Sequence, residues 1–398
     1  MGPRSVEPDA PSAGRPLQGL RVLDFTRVLA GPYCTALVAD LGADVLKIEP
    51  PRGDDYREIG PFFPDGSSAL FAAVNRGKRS VVLDLAKLSD RAAAQELAAG
   101  ADVAVENFRP GVADKLGVGW AALSERNPRL IYASVTGFGQ QGPNAARPAY
   151  DIIVQAMTGI MSVTGDPDRE PTMIGESIAD VASGLFCAWA ILAALYERQR
   201  TGRGRRIDVA MFDAMIAMQP LVVTRLLATG VPPRRVGNRH ALSAPFGVYA
   251  ARDGSFALAV LNDKLFRALA ETIGKPGLAA DPRFVSDPLR LINETALRAE
   301  IEDWSRRLAV DEAVAALAEG GVPAAEVADM AQALASPQAE ARPPLQRIAH
   351  PTLGLILAPE QPAHFAGVPR GGASPAPGLG EHTRAALDDP RQAWKERP

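Results

Sequence analysis

Short apolar runs alternate with amphipathic segments along the first half of the chain. The runs predict buried strands over residues 20–25, 44–49, 80–85, 102–106, 129–135 and 205–210. The segments between them carry helical spacing, most clearly over residues 90–99, and a further helix is predicted to run to about Thr229. Strands that alternate with helices pair in parallel, with helices on both faces of the sheet, so the pattern predicts an α/β fold.

The strongest helical pattern begins at Ile178. From there, apolar residues recur at steps of three or four positions: Val181, Leu185, Trp189, Leu192 and Leu195. The spacing predicts a helix that is buried in the core. Its apolar stretch over residues 185–195 is too short to cross a membrane, and charged residues follow directly.

The chain divides into four predicted segments. Residues 1–16 hold four prolines and no apolar run, so we expect a disordered tail and not a signal peptide. Residues 17–228 form a large α/β domain, and residues 229–335 form a smaller α+β domain with a hairpin around Asp253-Gly254. Residues 336–398 are too rich in loops for a core of their own and are expected to pack on the large domain.

Composition narrows the classes of function. The 398 residues carry a formal net charge of −3 and no basic block, which argues against nucleic acid or an anionic membrane as the partner and favours small soluble ligands. Cys34 and Cys187 have no metal-ligand spacing and are predicted to be reduced core thiols of a cytoplasmic protein. The histidines are scattered from His240 onward, so neither a metal cluster nor a Ser-His-Asp arrangement is predicted.

Asp180 is the candidate for chemistry in the large domain. It falls in the first turn of the predicted helix, where unpaired N–H groups and the positive end of the helix dipole favour an ionised carboxylate. An ionised carboxylate can attack an activated acyl group. The alternative is a capping pattern with Ser177 at the N-cap, which would stabilise the helix by about 1 kcal/mol. The residues alone favour the cap.

Three further motifs each have two interpretations. Residues 137–142 match the dinucleotide pattern G-x-G-x-x-G, but no helix is predicted after them, so we expect a flexible active-site loop and not an NAD site. The cations of residues 75–79 could hold phosphates or form a solvated turn. Residues 106–111 follow a strand at the edge where open α/β sheets bind ligands, and Phe108 could stack on a ring or cap the sheet.

Together, the motifs resemble those of the class III CoA-transferases, the formyl-CoA transferase-like family that also contains the α-methylacyl-CoA racemases. The resemblance covers nearly the whole chain and is carried by residues 17–32, 40–49, 75–80, 105–108, 148–151, 202–204, 281–284, 321–323 and 375–383. The pattern resembles above all the dicarboxylate transferases of the succinyl-CoA type.

The resemblance implies a Rossmann-like large domain built from both chain ends, a small central domain and two interlocked subunits of a homodimer. It implies that Asp180 is the nucleophile, forming an acyl-aspartyl anhydride and then an aspartyl-CoA thioester, with no metal and no permanently bound cofactor. Coenzyme A takes part only as the acyl-CoA substrate. The residues carried over to the CoA site, with the cations facing the phosphates, are Val28, Leu29, Ala30, Lys78, Arg79, Asn107, Phe108 and Lys115.

The chain departs from the family pattern at two places. Tyr150-Asp151 stands where the racemases carry His-Asp, and tyrosine, with a reference pKa of about 10, is a poor base at neutral pH, so transfer is favoured over racemisation. Residues 259–263 replace a glycine-rich loop that closes over the aspartate in some transferases. The alternatives are an acyl-CoA racemase or isomerase and a non-catalytic CoA-binding protein. Candidate substrate residues are Tyr150, Arg225, Arg239 and His240, the last three as ligands of a second carboxylate or as solvated surface charges.

Overall fold

The computed structural model describes residues 14–390, 393 and 394. Most of the tail predicted over residues 1–16 therefore lies outside the described residues. The chain divides into two compact units. Unit 1 contains the chain up to Ile160, Met173–Ala228 and the segment from Pro343 onward, and unit 2 contains Met161–Thr172 and Thr229–Arg342.

Unit 1 is built on a six-stranded parallel sheet. Its strands are β1 (Arg21–Asp24), β2 (Asp44–Glu49), β3 (Lys78–Val82), β4 (Val103–Glu106), β5 (Ile131–Thr136) and β6 (Arg205–Ala210). Its helices, with α7 at the passage into unit 2, are α1 (Ala30–Asp40), α2 (Ala69–Asn75), α3 (Leu88–Ala99), α4 (Val112–Lys115), α5 (Trp120–Arg126), α6 (Asp151–Met157), α7 (Ile160–Val163), α8 (Ile178–Thr201), α9 (Met211–Ala217) and α10 (Pro220–Thr229), and a 3₁₀ helix spans Asp55–Glu58. The strand order β3-β2-β1-β4-β5-β6 is that of a Rossmann fold, which confirms the predicted fold class.

Alternation along the strands separates two apolar cores. Val22 and Val45 point to one face of the sheet, whereas their neighbours Leu23 and Leu46 belong to the cluster on the other face. Helices α1 and α8 cover the first face, while α3, α5 and Trp394 cover the second. Both faces are thus buried, as expected for a parallel sheet.

Helix α8 forms where the spacing predicts it, but its buried face differs from the predicted one. Leu185 and Trp189 are 55% and 67% exposed, and small residues such as Ala182 and Ala188 face the core instead. The small residues allow α8 to pack closely on α1: a Cβ atom at Gly184 would lie 2.5 Å from the carbonyl oxygen of Ala30. The predicted core helix is therefore confirmed, but its small residues face the core and several of its large apolar residues do not.

By length and composition alone, α8 could cross a membrane, since it spans 24 residues. The bent pair of α9 and α10 meets the same criteria over the described part of the chain. Core helices of soluble proteins also meet them, so the criteria carry little weight here. The break between α9 and α10 replaces the single helix predicted to Thr229, because Pro220 has no N–H for a helical hydrogen bond.

Unit 2 is an α+β unit. It contains a three-stranded antiparallel sheet of β7 (Phe246–Ala250), β8 (Ser255–Ala259) and β9 (Ala324–Glu326), which confirms the predicted hairpin. Its helices are α11 (Asp263–Thr272), α12 (Asp287–Ile292), α13 (Glu294–Ser305), α14 (Val310–Glu319), α15 (Met330–Leu334) and α16 (Pro337–Ala341), with a 3₁₀ helix at Pro276–Ala280. The chain then adds a hairpin of β10 (Leu345–His350) and β11 (Gly354–Pro359) and helix α17 (Thr383–Asp388) to unit 1.

Candidate active site

A cavity of about 400 Å³ opens in unit 1 at the carboxyl ends of the central strands. It is lined by residues 27–30 after β1, residues 107–110 after β4, Thr136 at the end of β5 and Asp180 on α8. This is the edge at which open α/β sheets bind ligands. The buried hydroxyl of Thr136 has no hydrogen-bond partner among the described residues and is available to a ligand.

Asp180 is the third residue of α8, and its carboxylate accepts no hydrogen bond from the residues that the structure describes. The capping interpretation was wrong, because the Ser177 side chain does not cap the helix. The carboxylate of Asp151, at the start of α6, does so instead by accepting the N–H of Ala179 at 2.7 Å. Asp180 is thus left to face the cavity.

The buried side chain of Gln155 holds this arrangement together. Its Nε2 donates to Asp151 Oδ2 at 2.6 Å, and its Oε1 accepts the N–H of Ile174 at 2.9 Å. The same amide therefore fixes the capping carboxylate and the loop that leads into α8. Both contacts help to position Asp180.

The pKa of Asp180 is raised to about 7. Burial is the largest cause, followed by the negative charges of Asp151 and Glu176. The sequence led us to expect that the helix terminus would keep the carboxylate ionised, but burial and the two neighbouring carboxylates outweigh that effect. Near neutral pH the group is present in both protonation states, and the ionised fraction is a more basic carboxylate than a free aspartate.

The backbone of residues 27–30 lines the same cavity as Asp180 and is held by hydrogen bonds to side chains. The amide of Asn107 brackets Arg27, accepting its N–H at 2.9 Å and donating to its carbonyl at 2.7 Å. The N–H of Val28 donates to Asp54 Oδ1 at 3.0 Å. Leu29 precedes helix α1 without a side-chain cap, so the first N–H groups of α1 are available to a ligand atom.

Phe108 contacts the core as well as the cavity. It packs against the core on one face of the sheet and also lines the cavity. Its N–H donates to Glu106 Oε2 at 2.8 Å, and burial raises the pKa of Glu106 to about 7. The guanidinium of Arg27 lies 5.9 Å from the centre of the Phe108 ring, so a stacking surface and a cation adjoin each other.

The cations predicted to face phosphates have other partners. Lys78 is fully buried and donates to Asp24 at 3.0 Å, to Asn75 and to the carbonyl of Pro32. Arg79 forms an ion pair with Asp44 at 2.6 Å. Neither residue lines the cavity, and Lys115 lies exposed on α4 outside the lining. Burial and pairing thus give Lys78 and Arg79 structural contacts within unit 1.

The cations that line the cavity are arginines that the sequence did not single out. Arg27, Arg109 and Arg147 all line the cavity. Arg109 and Arg147 form no ion pair with the described residues, and Arg27 lies 3.6 Å from Asp55. Arg27 and Arg109 lie within residues 17–32 and 106–111, two of the motifs described above. Arg147 follows the glycine pattern of residues 137–142, and no feature of the sequence marked it as a ligand-binding residue. The loop of residues 137–150 opens no helix, as predicted, since α6 begins at Asp151.

The candidate substrate residues fall in different places. Tyr150 is 71% exposed and lines the cavity with Asp180. Arg225 lies on α10, outside the lining. Arg239 and His240 belong to unit 2 and line a separate cavity there of about 590 Å³; Arg239 pairs with Glu294 at 3.0 Å, and His240 stacks on Phe246. Within residues 14–390, 393 and 394, no three His, Cys, Asp or Glu side chains are placed to hold a metal ion.

Comparison with known proteins adds three findings. A sequence model of CoA-transferase family III matches residues 17–383. The acetyl-CoA:oxalate CoA-transferase of Acetobacter aceti is 46% identical, over 88% of this chain and 90% of that enzyme, and the succinyl-CoA:mesaconate CoA-transferase of Haloarcula hispanica is 40% identical, over 84% and 86%. The crystal structure of a CaiB/BaiF family protein from Brucella suis is similar with a TM-score of 0.84 and 41% identity, covering 94% of this chain and all of that one.

Proposed function

The chain belongs to CoA-transferase family III, and from that membership we propose that it is a cytoplasmic enzyme that moves CoA from an acyl-CoA donor to a free carboxylic acid. The observation that carries the proposal is the Asp180 carboxylate, which stands in the cavity without a hydrogen-bond partner among the described residues. A structural carboxylate at such a largely enclosed position would normally be paired. An unpaired one of raised basicity suits a nucleophile.

The proposed reaction begins when a carboxylate oxygen of Asp180 attacks the thioester carbonyl of the donor. The carbon–sulfur bond breaks, CoA leaves as the thiolate, and an acyl-aspartyl anhydride forms. The thiolate then attacks the aspartyl carbonyl, which releases the donor acid and leaves an aspartyl-CoA thioester. The acceptor carboxylate attacks the carbonyl of that thioester, which breaks the carbon–sulfur bond, expels the CoA thiolate and forms a second anhydride. The thiolate finally attacks the acceptor carbonyl of this anhydride, giving the new acyl-CoA and the free carboxylate of Asp180.

Every step exchanges one anion for another, so the sequence of steps needs no proton transfer. The residues of the cavity supply a nucleophile, backbone N–H groups and cations, but no histidine. We assign the N–H groups at the start of α1 to the oxyanion that develops during each attack. The low polarity of a partly buried site also stabilises the oxyanion, because hydrogen bonds to a charged group are stronger where the local dielectric constant is low.

The charges of the cavity support anionic substrates. The guanidinium groups of Arg27, Arg109 and Arg147 can bind phosphates or carboxylates bidentately. We assign them to the phosphates of CoA and to the distal carboxylate of a dicarboxylic acid, the class to which oxalate and mesaconate belong in the named relatives. Val28, Leu29, Ala30, Asn107 and Phe108 are assigned to the CoA chain, with Tyr150 beside the acyl group.

We also propose that the enzyme works as a homodimer. The exposed side of α8 carries a stripe of large apolar residues, including Leu185, Trp189 and Tyr196, each more than half exposed. Contiguous apolar stripes of this kind mark protein interfaces. A second copy of the chain is the occupant that fits the family.

Trapping of the covalent intermediate tests the proposal. The protein is incubated with succinyl-CoA and hydroxylamine, which converts an activated aspartyl group into a stable hydroxamate, and its peptides are analysed by mass spectrometry. We expect modification of the Asp180 peptide in the wild type and none in Asp180→Ala. Asp213→Ala is the matched control, since Asp213 also occupies the third position of a helix but is exposed.

Modification of the control variant should equal that of the wild type. Absence of any adduct and of any acyl exchange, across a broad panel of acyl-CoA donors and carboxylic acids, would overturn the proposed transfer. Entry of solvent deuterium at the α-carbon of an acyl-CoA, without CoA exchange, would replace it with racemisation. Binding of CoA without turnover would instead indicate a non-catalytic CoA-binding protein.

A further inference from the structure

Beside the candidate active site, a buried ion pair holds one strained backbone residue. We propose that the Lys47–Asp54 pair is a positioning device that keeps Val28 in the left-handed conformation needed for CoA binding. The inference rests on the proposed function, because it assumes that residues 27–30 contact CoA.

Val28 has an unusual backbone conformation for its type. Its φ is 68°, and among the described residues it is the one non-glycine residue in the left-handed region. A β-branched side chain strongly disfavours that region, so surrounding contacts must impose it. Such strain concentrates at ligand-binding and catalytic sites. Val28 lines the cavity between Arg27 and Leu29, so its conformation decides where both neighbours point.

Asp54 makes the contact that holds Val28. Its Oδ1 accepts the N–H of Val28 and the N–H of Tyr56, both at 3.0 Å. Its own N–H donates to Glu49 Oε2 at 3.0 Å, and Glu49 is in turn gripped by Arg57. The carboxylate is therefore fixed by a buried network that does not itself touch the cavity.

Lys47 completes the device. Its ammonium lies 2.8 Å from Asp54 Oδ2, and both side chains are fully buried. The same ammonium donates to the carbonyl of Thr26 at 2.8 Å, two residues before Val28. One cation thus fixes both the carboxylate and the segment that the carboxylate holds.

Asp54 also links Val28 to the neighbourhood of Asp180 through Tyr56. Burial raises the pKa of the Tyr56 phenol to about 12, and the charge of Asp180 is the next cause. The phenol therefore lies within electrostatic reach of the nucleophile. The single carboxylate of Asp54 therefore holds the backbone N–H groups of both Val28 and Tyr56.

A rescue experiment separates positioning from general stability. CoA binding is measured by titration calorimetry, and KM and kcat by steady-state assay, for wild type, Asp54→Asn, Val28→Gly and the double variant. We expect Asp54→Asn to weaken CoA binding about ten-fold, the factor that matches the usual cost of a left-handed L-residue, with KM affected more than kcat. Val28→Gly should restore binding to within about three-fold, because glycine adopts positive φ freely.

Asp40→Asn is the matched control. Asp40 is a buried carboxylate paired with Arg76 at 2.6 Å at the far end of α1, so its loss should lower thermal stability without weakening CoA binding. If Asp54→Asn does not fold, Lys47→Met/Asp54→Asn, which leaves no unpaired buried charge, is assayed with and without Val28→Gly.

Three outcomes overturn the inference. They are equal CoA affinity in wild type and Asp54→Asn, equal loss with and without Val28→Gly, and an equal loss in Asp40→Asn. Failure of the wild type to bind CoA or acyl-CoA is a different result, since it overturns the proposed function itself. Rescue by Val28→Gly supports the inference.

Discussion

Replacing Asp180 with asparagine should stabilise the protein more at pH 8 than at pH 5. Burial and the charges of Asp151 and Glu176 raise the pKa of this carboxyl from 3.8 to about 7 in the folded chain. At pH values between these two pKa values, the folded chain binds more protons at this group than the unfolded chain does. The folded state therefore loses stability as the pH rises, and the loss is complete above about pH 7. Asparagine carries no charge, so the Asp180→Asn variant does not lose this stability as the pH rises.

The magnitude follows from about 1.36 kcal/mol per unit of pKa difference. The gain on substitution is roughly 4 kcal/mol at pH 8 and roughly 1.6 kcal/mol at pH 5. Packing changes caused by asparagine are present at both pH values, so they cancel in the difference of roughly 2.5 kcal/mol. For a folding unit of a few hundred residues, this difference corresponds to roughly 5 °C in Tm.

Thermal unfolding of wild type, Asp180→Asn and Asp213→Asn at the two pH values provides the assay. Asp213 holds the same helical position on α9 but is exposed, so its substitution should shift Tm nearly equally at both pH values. An equal shift for Asp180→Asn at pH 5 and pH 8 would refute the reasoning. A loss of about 1 kcal/mol confined to high pH would refute it more directly, since a stabilising carboxylate at a helix N-terminus behaves in that way.

Three further outcomes are expected. The value of kcat/KM should fall below about pH 7 as Asp180 is protonated. Glu176→Gln removes a negative neighbour, so it should move this acidic side of the pH–rate profile to lower pH. An unchanged profile would contradict the assignment. Gly184→Ala should destabilise the protein by about 1–3 kcal/mol in denaturant unfolding, because the added Cβ would lie 2.5 Å from a carbonyl oxygen. Gly277→Ala is the control and should not destabilise it, because there is open space around Gly277. Equal effects would count against the close packing of α1 and α8. Trp189→Arg should convert the proposed dimer into monomers in sedimentation experiments, and an unchanged mass would exclude this face as the interface.

Local pattern was sufficient for the strands and for the position of Asp180. Residues 205–210 were predicted as a strand and form β6, and Asp180 lies in the first turn of α8 as the spacing indicated. Both features depend on residues within one or two turns of each other. Alternation and helical spacing report which faces are apolar, and these periodicities are properties of the sequence itself.

Local sequence patterns were not sufficient where a structural feature depended on a residue distant along the chain. Spacing could not show that α8 buries its small residues against α1, because large apolar residues usually mark the core-facing side. A capping motif drew attention to Ser177, yet Asp151, from another helix, caps α8. The sequence also could not show that Asp24, contributed by β1, pairs with Lys78 in the interior.

The sequence by itself therefore determined the α/β architecture, the family and the identity of the nucleophile candidate. Only the tertiary structure decided the raised pKa of Asp180, the cluster of arginines in its cavity and the left-handed Val28 held by Asp54. Each of these arises from charges or hydrogen-bonding groups that are far apart in the chain and are brought together by the parallel sheet. Electrostatic and desolvation energies depend on those distances and on burial, which residue order alone does not specify.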